Sequence, residues 1–129
     1  MRHRMKLRMQ PFSAIRSGQK TFELRLFDEK RQLLRVNDEI EFSCIDSNEA
    51  PIIVQILSLQ VFKSFAEPYN NLPLLQCGYT EETISDATPN DMNQYYNVEK
   101  QEKYGVVGIE IKVIWNYSNE NDVIADVWC

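Results

Sequence analysis

What this sequence has little of narrows its role before anything else. It holds one histidine, His3, and three cysteines, Cys44, Cys77 and Cys129, with no Cys-x-x-Cys pair among them. A zinc site needs a spaced set of such donors, so this inventory argues against one. The acids do not fall in a ligand-spaced cluster either, and neither a metal nor a cofactor is expected. No stretch approaches the ~18 uninterrupted apolar residues of a membrane helix. The start, Met1-Arg2-His3-Arg4-Met5-Lys6-Leu7-Arg8, has the charge of a secretory leader, but no apolar segment follows it. A cytoplasmic location is the expectation, and the odd set of unpatterned cysteines agrees with it. There is no internal repeat, low-complexity tract or Gly/Ser/Pro linker. The 129 residues therefore read as a single domain, 1–129.

What is present points to a soluble globular chain, 43% hydrophobic and 26% charged. The net charge of −5 hides an asymmetry: residues 1–35 sum to +7 and the remainder to −12. Such a block becomes a basic surface for nucleic acid only if folding leaves it unpaired.

Alternation and punctuation predict a mainly β chain of five or six strands with short helices, a small curved barrel. Residues 5–9 read as a first strand. Residues 11–18 read as a short helix, with Pro11 in its first turn, Phe12 and Ile15 on one buried face, and Gly18 as the left-handed stop. Residues 20–26 alternate: Phe22, Leu24 and Leu26 toward the core, Thr21, Glu23 and Arg25 on the opposite polar face. Residues 27–35 read as a charged loop, and Val36-Asn37-Asp38 as a turn. The third strand has Ile40, Phe42 and Cys44 inward, with Cys44 a buried reduced thiol. Residues 52–62 form a long strand whose alternation falters at Gln55, which predicts a bulge. Between 62 and 97 the pattern weakens into short helices at 63–71, 80–85 and 92–96. Residues 104–115 close the sheet. Trp115 and Trp128 are assigned structural roles, and 123–128 is open to docking as a final strand.

One strand carries more chemistry than the rest. Lys20 follows the helix-stopping Gly18, and Glu23 and Arg25 stand two residues apart on one face, with Arg16 on the preceding helix. A rigid strand holding Lys, Glu and Arg supplies an acid or base, an anion clamp and an acceptor. The bland reading is a solvated strand face with an ordinary Glu–Arg neighbour pair. Gly18-x-Lys20-x-x-Glu23-x-Arg25 is similar to the Gly-x-Lys-x-x-Glu-x-Arg signature of the ASCH domain family. The flanks resemble it too: Met5-Lys6-Leu7, Pro11-Phe12, Ile15, Leu26-x-Asp28-x-Lys30-Arg31, Asp38-x-Ile40-x-Phe42, and Tyr95-Tyr96 with Glu99, Glu102 and Tyr104-Gly105-Val106-Val107-Gly108-Ile109. The resemblance spans residues 5–114 and leaves 116–129 as an extension.

The resemblance implies a PUA-like barrel with inserted helices, associated with RNA binding and modified-base recognition. It implies a cleft lined by the signature residues and sized for a nucleotide or nucleoside, so RNA or such a ligand is the expected partner. Some small bacterial members hydrolyse N4-acetylcytidine with a Lys, a Thr and a Glu. The lysine maps onto Lys20. The threonine aligns with Glu23, and Thr21 lies two positions earlier. The glutamate falls in the insertion, among Glu67, Glu81 and Glu82. The expected ligand-binding set is Gly18, Lys20, Glu23, Arg25 and Arg16, with Tyr95 and Tyr96 as a stacking platform or as packing. Three functions follow: binding of RNA or a nucleotide; a hydrolase, amidohydrolase or ribonuclease, in which Lys20, tuned by Arg16 and Arg25, activates water that Glu23 orients; or a non-catalytic regulatory protein.

Overall fold

A computed structural model describes residues 1–64, 67, 72–77 and 98–115 of the chain. The order is β1 (Arg2–Leu7), α1 (Met9–Arg16), β2 (Phe22–Leu26), a 3₁₀ turn (Arg31–Leu33), β3 (Glu39–Cys44), β4 (Ile52–Phe62), a second 3₁₀ turn (Leu74–Cys77), α2 (Val98–Tyr104) and β5 (Val106–Trp115). The five strands form one sheet in the order β1-β3-β4-β5-β2. β1 and β3 run parallel, and the other three pairings are antiparallel. The sheet curls into a half-barrel, mainly β with two short helices, as the alternation predicted. Its two terminal strands come together where Arg25 on β2 donates from Nη2 to the Lys6 carbonyl of β1 at 3.0 Å. The curl is helped by register shifts between β4 and β5 at Ile53/Val54 and Ile56/Ser58, which flank the irregular Gln55.

Most of the inside is aliphatic. Phe12, Ile15, Ile40, Phe42, Ile52, Val54, Ile56 and Ile109 are fully buried in one cluster with Met5, Leu7, Leu34, Val107 and Ile111. Phe12 and Ile15 enter it from α1 as their three-residue spacing requires. A second, smaller cluster joins Phe22, Leu24, Leu72 and Val106, with Phe62 and Cys77 packed against it. Cys44 is half-buried against the main core rather than enclosed, and its thiol is free.

Several element ends differ from expectation for local reasons. Asp46, in the β3–β4 connection, accepts from the Met9 backbone N–H at 2.8 Å and pairs with Arg8 at 3.1 Å. A carboxylate at that point starts α1 two residues early and confines β1 to Arg2–Leu7. Pro11 still sits in the first turn, where its missing N–H is no loss. Tyr104 ends a helix instead of opening a strand. The run Val98–Tyr104 is rich in Glu, Lys and Gln, good helix formers, and Gly105 at φ 72° stops it. The short helices expected at 80–85 and 92–96 and the 116–129 extension, with Trp128 and Cys129, lie outside the described residues. Of 63–71, only 63, 64 and 67 are described. Among the described residues no helix is long and apolar enough to cross a membrane.

Two glycines hold left-handed backbone that the fold requires. Gly18, at φ 86°, turns the chain off α1, and its surroundings leave room for a methyl group. Gly105 has no such room, because a Cβ there would stand 2.6 Å from the Phe62 carbonyl oxygen. Gly18→Ala is expected to cost about 1–2 kcal/mol, the left-handed penalty alone. Gly105→Ala should cost clearly more, and urea unfolding of the two variants measures the difference.

Candidate ligand-binding site

The site begins at the end of α1. Gly18 donates its N–H to Ile15, and the chain reverses so that the Lys20 N–H caps the Ala14 carbonyl at 3.0 Å. That reversal delivers Lys20 to the head of β2 with its side chain lying along the strand. Its Nζ donates to Glu23 Oε1 at 2.8 Å. Arg25 donates to the other oxygen, Oε2, from Nε at 3.1 Å and Nη2 at 3.0 Å. One carboxylate therefore bridges two cations, and the guanidinium also holds the β1 carbonyl at the seam.

This cluster is inside the protein. Lys20 is 8% and Glu23 4% exposed. Glu23 is paired with Ile109 and Arg25 with Val107, and directly opposed residues share a face of a sheet. The polar face of β2 thus looks toward the main core. Phe22 and Leu24 point the other way, into the second cluster. The alternation was correct, but the expected sides are reversed: the apolar residues leave the main core, and the charged ones face it. Leu72, Phe62 and Cys77 cover the outer face, which lets β2 be buried on both sides.

Burial alone would raise the Glu23 pKa. The charges of Lys20 and Arg25 and their hydrogen bonds outweigh that and bring it down to about 2. The triad sums to one positive charge. Among the described residues, Glu23 is the only partner of the Lys20 ammonium, which has three protons to donate. Cys77, in the second 3₁₀ turn, is within electrostatic reach. Burial pushes its thiol up to about 11, with Lys20 drawing it down and Glu23 raising it, so the neutral thiol is the favoured form. Thr21 ties the same turn to β2. Its N–H donates to the Gln76 carbonyl at 2.7 Å, and its Oγ1 to Gln76 Oε1 at 3.1 Å.

Lys20, Glu23 and Arg25 are therefore brought together, with Gly18 behind them and Thr21 at the margin. Arg16 is not with them. It pairs with Glu49 at 3.0 Å, its guanidinium 5.6 Å from the Phe12 ring, because the helix end faces the β3–β4 connection. The expected tuning of Lys20 by Arg16 is thereby removed. Glu67 accepts from the Lys63 N–H at 3.2 Å. Glu81, Glu82, Tyr95 and Tyr96 lie outside the described residues. Gln76 and Cys77 were not foreseen, since nothing in the weakly patterned segment after Phe62 marks them. The basic N-terminal block does not emerge bare: Arg2 pairs with Glu39, Arg4 with Glu41, Arg8 with Asp46 and Arg31 with Asp28.

Known proteins can be set beside this geometry. The family model for the ASCH domain matches residues 5–114. The chain belongs to the ASCH domain family. The fold of this ASCH domain is similar to the crystal structure of the hypothetical protein PH0355, with 30% identity, 88% of this chain and 100% of that one covered, and a TM-score of 0.71. It is also similar to the solution NMR structure of protein PF0455 from Pyrococcus furiosus, at 29% identity, 88% and 98% coverage and a TM-score of 0.67. The crystal structure of ASCH from Zymomonas mobilis shares the fold at 12% identity, with 86% and 66% coverage and a TM-score of 0.59. No curated protein matches the chain.

The electrostatics of the triad set how stability responds to acid. The folded pKa of Glu23, about 2, lies below its ordinary 4.5, so its contribution is present above pH 4.5 and is lost as the pH falls toward 2. The shift corresponds to something on the order of 3 kcal/mol. Glu23→Gln removes that pH dependence and leaves the buried Lys20 ammonium without its carboxylate, at a cost of about 3–5 kcal/mol at pH 7. Denaturant unfolding of both proteins between pH 2 and 7 tests this. An equally steep loss for Glu23→Gln between pH 4.5 and 2 would contradict it.

Proposed function

We propose that this ASCH domain binds RNA or a nucleotide, modified nucleosides included, at the Lys20–Glu23–Arg25 triad. One observation carries the reading: Lys20 and Glu23 are buried together, and the Lys20 ammonium has a single partner among the described residues. Taking the Lys20 and Glu23 charges out of water costs several kcal/mol per ion, and apolar residues of similar size serve a core as well or better. A cluster kept against that cost is a site awaiting an acceptor, such as a phosphate oxygen or a base carbonyl.

The same geometry speaks against hydrolysis. Hydrolysis in this site would need Lys20 to activate water, and its Nζ is instead engaged as a donor to Glu23 Oε1 at 2.8 Å. Where the resemblance puts a threonine nucleophile stands this carboxylate, and the Thr21 hydroxyl is spent on an amide oxygen. Binding without turnover is the function this arrangement favours. Free thiols at Cys44 and Cys77 suit a reducing compartment, and the cytoplasm is proposed as its place.

Calorimetric titration with uridine and cytidine 5′-monophosphates and short single-stranded RNAs, at 50 and 200 mM salt, tests the reading. Each phosphate contact should weaken binding about two- to threefold over that range. The triple variant Lys20→Met, Glu23→Leu, Arg25→Met should unfold no more easily than the parent yet lose binding at least tenfold. Binding that survives in the folded triple variant sinks the proposal. Conversion of N4-acetylcytidine and water to cytidine and acetate by the parent, lost in Lys20→Ala, would establish the hydrolase instead.

A further inference from the structure

We propose that residues 123–126 return along β5 and pair antiparallel with Lys112–Trp115, adding a strand to the sheet. The surface they would take is an unused strand edge. β5 runs from Val106 to Trp115, but β2 pairs with it only from Val106 to Glu110. One further bond on that side joins the Ile111 N–H to the Thr21 carbonyl at 2.8 Å. The chain before Thr21 then leaves the sheet, with the Lys20 N–H on the Ala14 carbonyl of α1. Among the described residues, nothing pairs with Lys112–Trp115 on the side away from β4. Open backbone groups on a strand edge are a template for another extended segment. The side chains are open too. Ile114 is 44% exposed and has no counterpart on β4, because the register shifts at Ile53/Val54. Lys112, beside Gln55, is exposed and meets no acid among the described residues.

The chain itself supplies the occupant. The ASCH match ends at residue 114, and the sequence beyond β5 has the make-up of the second half of a hairpin. Asn116-Tyr117-Ser118-Asn119-Glu120-Asn121-Asp122 is rich in turn formers, and Val123-Ile124-Ala125-Asp126-Val127-Trp128 is rich in β-branched residues. Asp126 is the one charge of that second run, as Lys112 is of Lys112–Trp115. Setting Asp126 opposite Lys112 places Ala125 by Val113, Ile124 by Ile114 and Val123 by Trp115. These are pairs that antiparallel strands favour: opposite charges, two aliphatics, and an aromatic beside a β-branched residue. A slip of one residue either way puts the Asp126 carboxylate against Ile111 or Val113, which belong to the main core or pack on it. Val127 falls level with Ile111, where Thr21 already holds the edge, so the pairing stops at Asp126. Carried toward the turn, the same register leaves Ser118-Asn119-Glu120 as a three-residue loop, a length hairpins use. The segment is tethered to the edge it fills, so little closure entropy opposes it.

Hydrogen exchange of the full chain, followed by NMR, reads the pairing directly. Amides of residues 123–126 should exchange at least about tenfold more slowly than in an unstructured chain. Lys112→Glu and Asp126→Lys each set like charges opposite one another, and each should cut that protection about two- to fivefold. The double variant restores the pair in reverse and should recover the protection. Exchange of 123–126 at the unstructured rate in the parent overturns the added strand. Protection that neither reversal changes, or that the double variant fails to restore, overturns its pairing with β5. Protection that rises with protein concentration, together with a dimer in sedimentation, gives the edge to a second copy and overturns the return within one chain. Thermal unfolding of Lys112→Glu checks that this exposed substitution leaves the rest of the sheet intact.

Discussion

The Glu23 carboxylate is the point from which the rest of this half-barrel is organised. Each of its oxygens holds a cation, Lys20 on one side and Arg25 on the other. Arg25 then reaches the Lys6 carbonyl, so the same guanidinium that neutralises a buried acid also fastens the two terminal strands of the sheet. Neither interaction is dispensable to the other. Without the acid, two positive side chains would be left in a low-dielectric interior; without the seam, the guanidinium would have no reason to lie between β1 and β2.

That arrangement imposes a constraint on everything around β2. A strand with charge on its inward face cannot draw its hydrophobic stabilisation from the main core alone. Phe22 and Leu24 find it on the outer face, under Leu72, Phe62 and Cys77. The segment after β4 is thus more than a connection, since it supplies the second core that makes an inward-facing triad tolerable. Gly108 opposite Leu24 belongs to the same constraint: a Cβ there would meet Leu72 and Phe62 side-chain carbons at 3.2 and 3.3 Å.

Charge elsewhere is handled by pairing across the fold. The cations of β1 and its flanks meet the acids of β3 and of the β3–β4 connection because β1 and β3 run parallel in register, Arg2 beside Glu39 and Arg4 beside Glu41. These exposed pairs contribute little to stability individually. Their consequence is electrostatic. They cancel most of a block that looks strongly basic in one dimension.

Much of this was written in local pattern. The β4 limits and its bulge, the burial of Phe12 and Ile15, the inward Ile40 and Phe42, and Gly18 as a helix stop all follow from spacing and backbone preference, which neighbouring residues determine among themselves. The signature around Lys20, Glu23 and Arg25 marked three charged side chains that the structure brings together, for the same reason. Which way that strand faces was not local. Period-two alternation defines two faces but cannot name which one meets the main core, and here the second cluster reversed the natural assumption. The surroundings of the triad were equally a tertiary matter: Arg16 drawn away to Glu49, and Gln76, 55 residues downstream, held to β2 by the Thr21 contacts. Sequence alone determined the strands, the turn and the identity of the charged cluster; only the folded chain decided that the cluster would be buried, because burial depends on what packs against it from elsewhere.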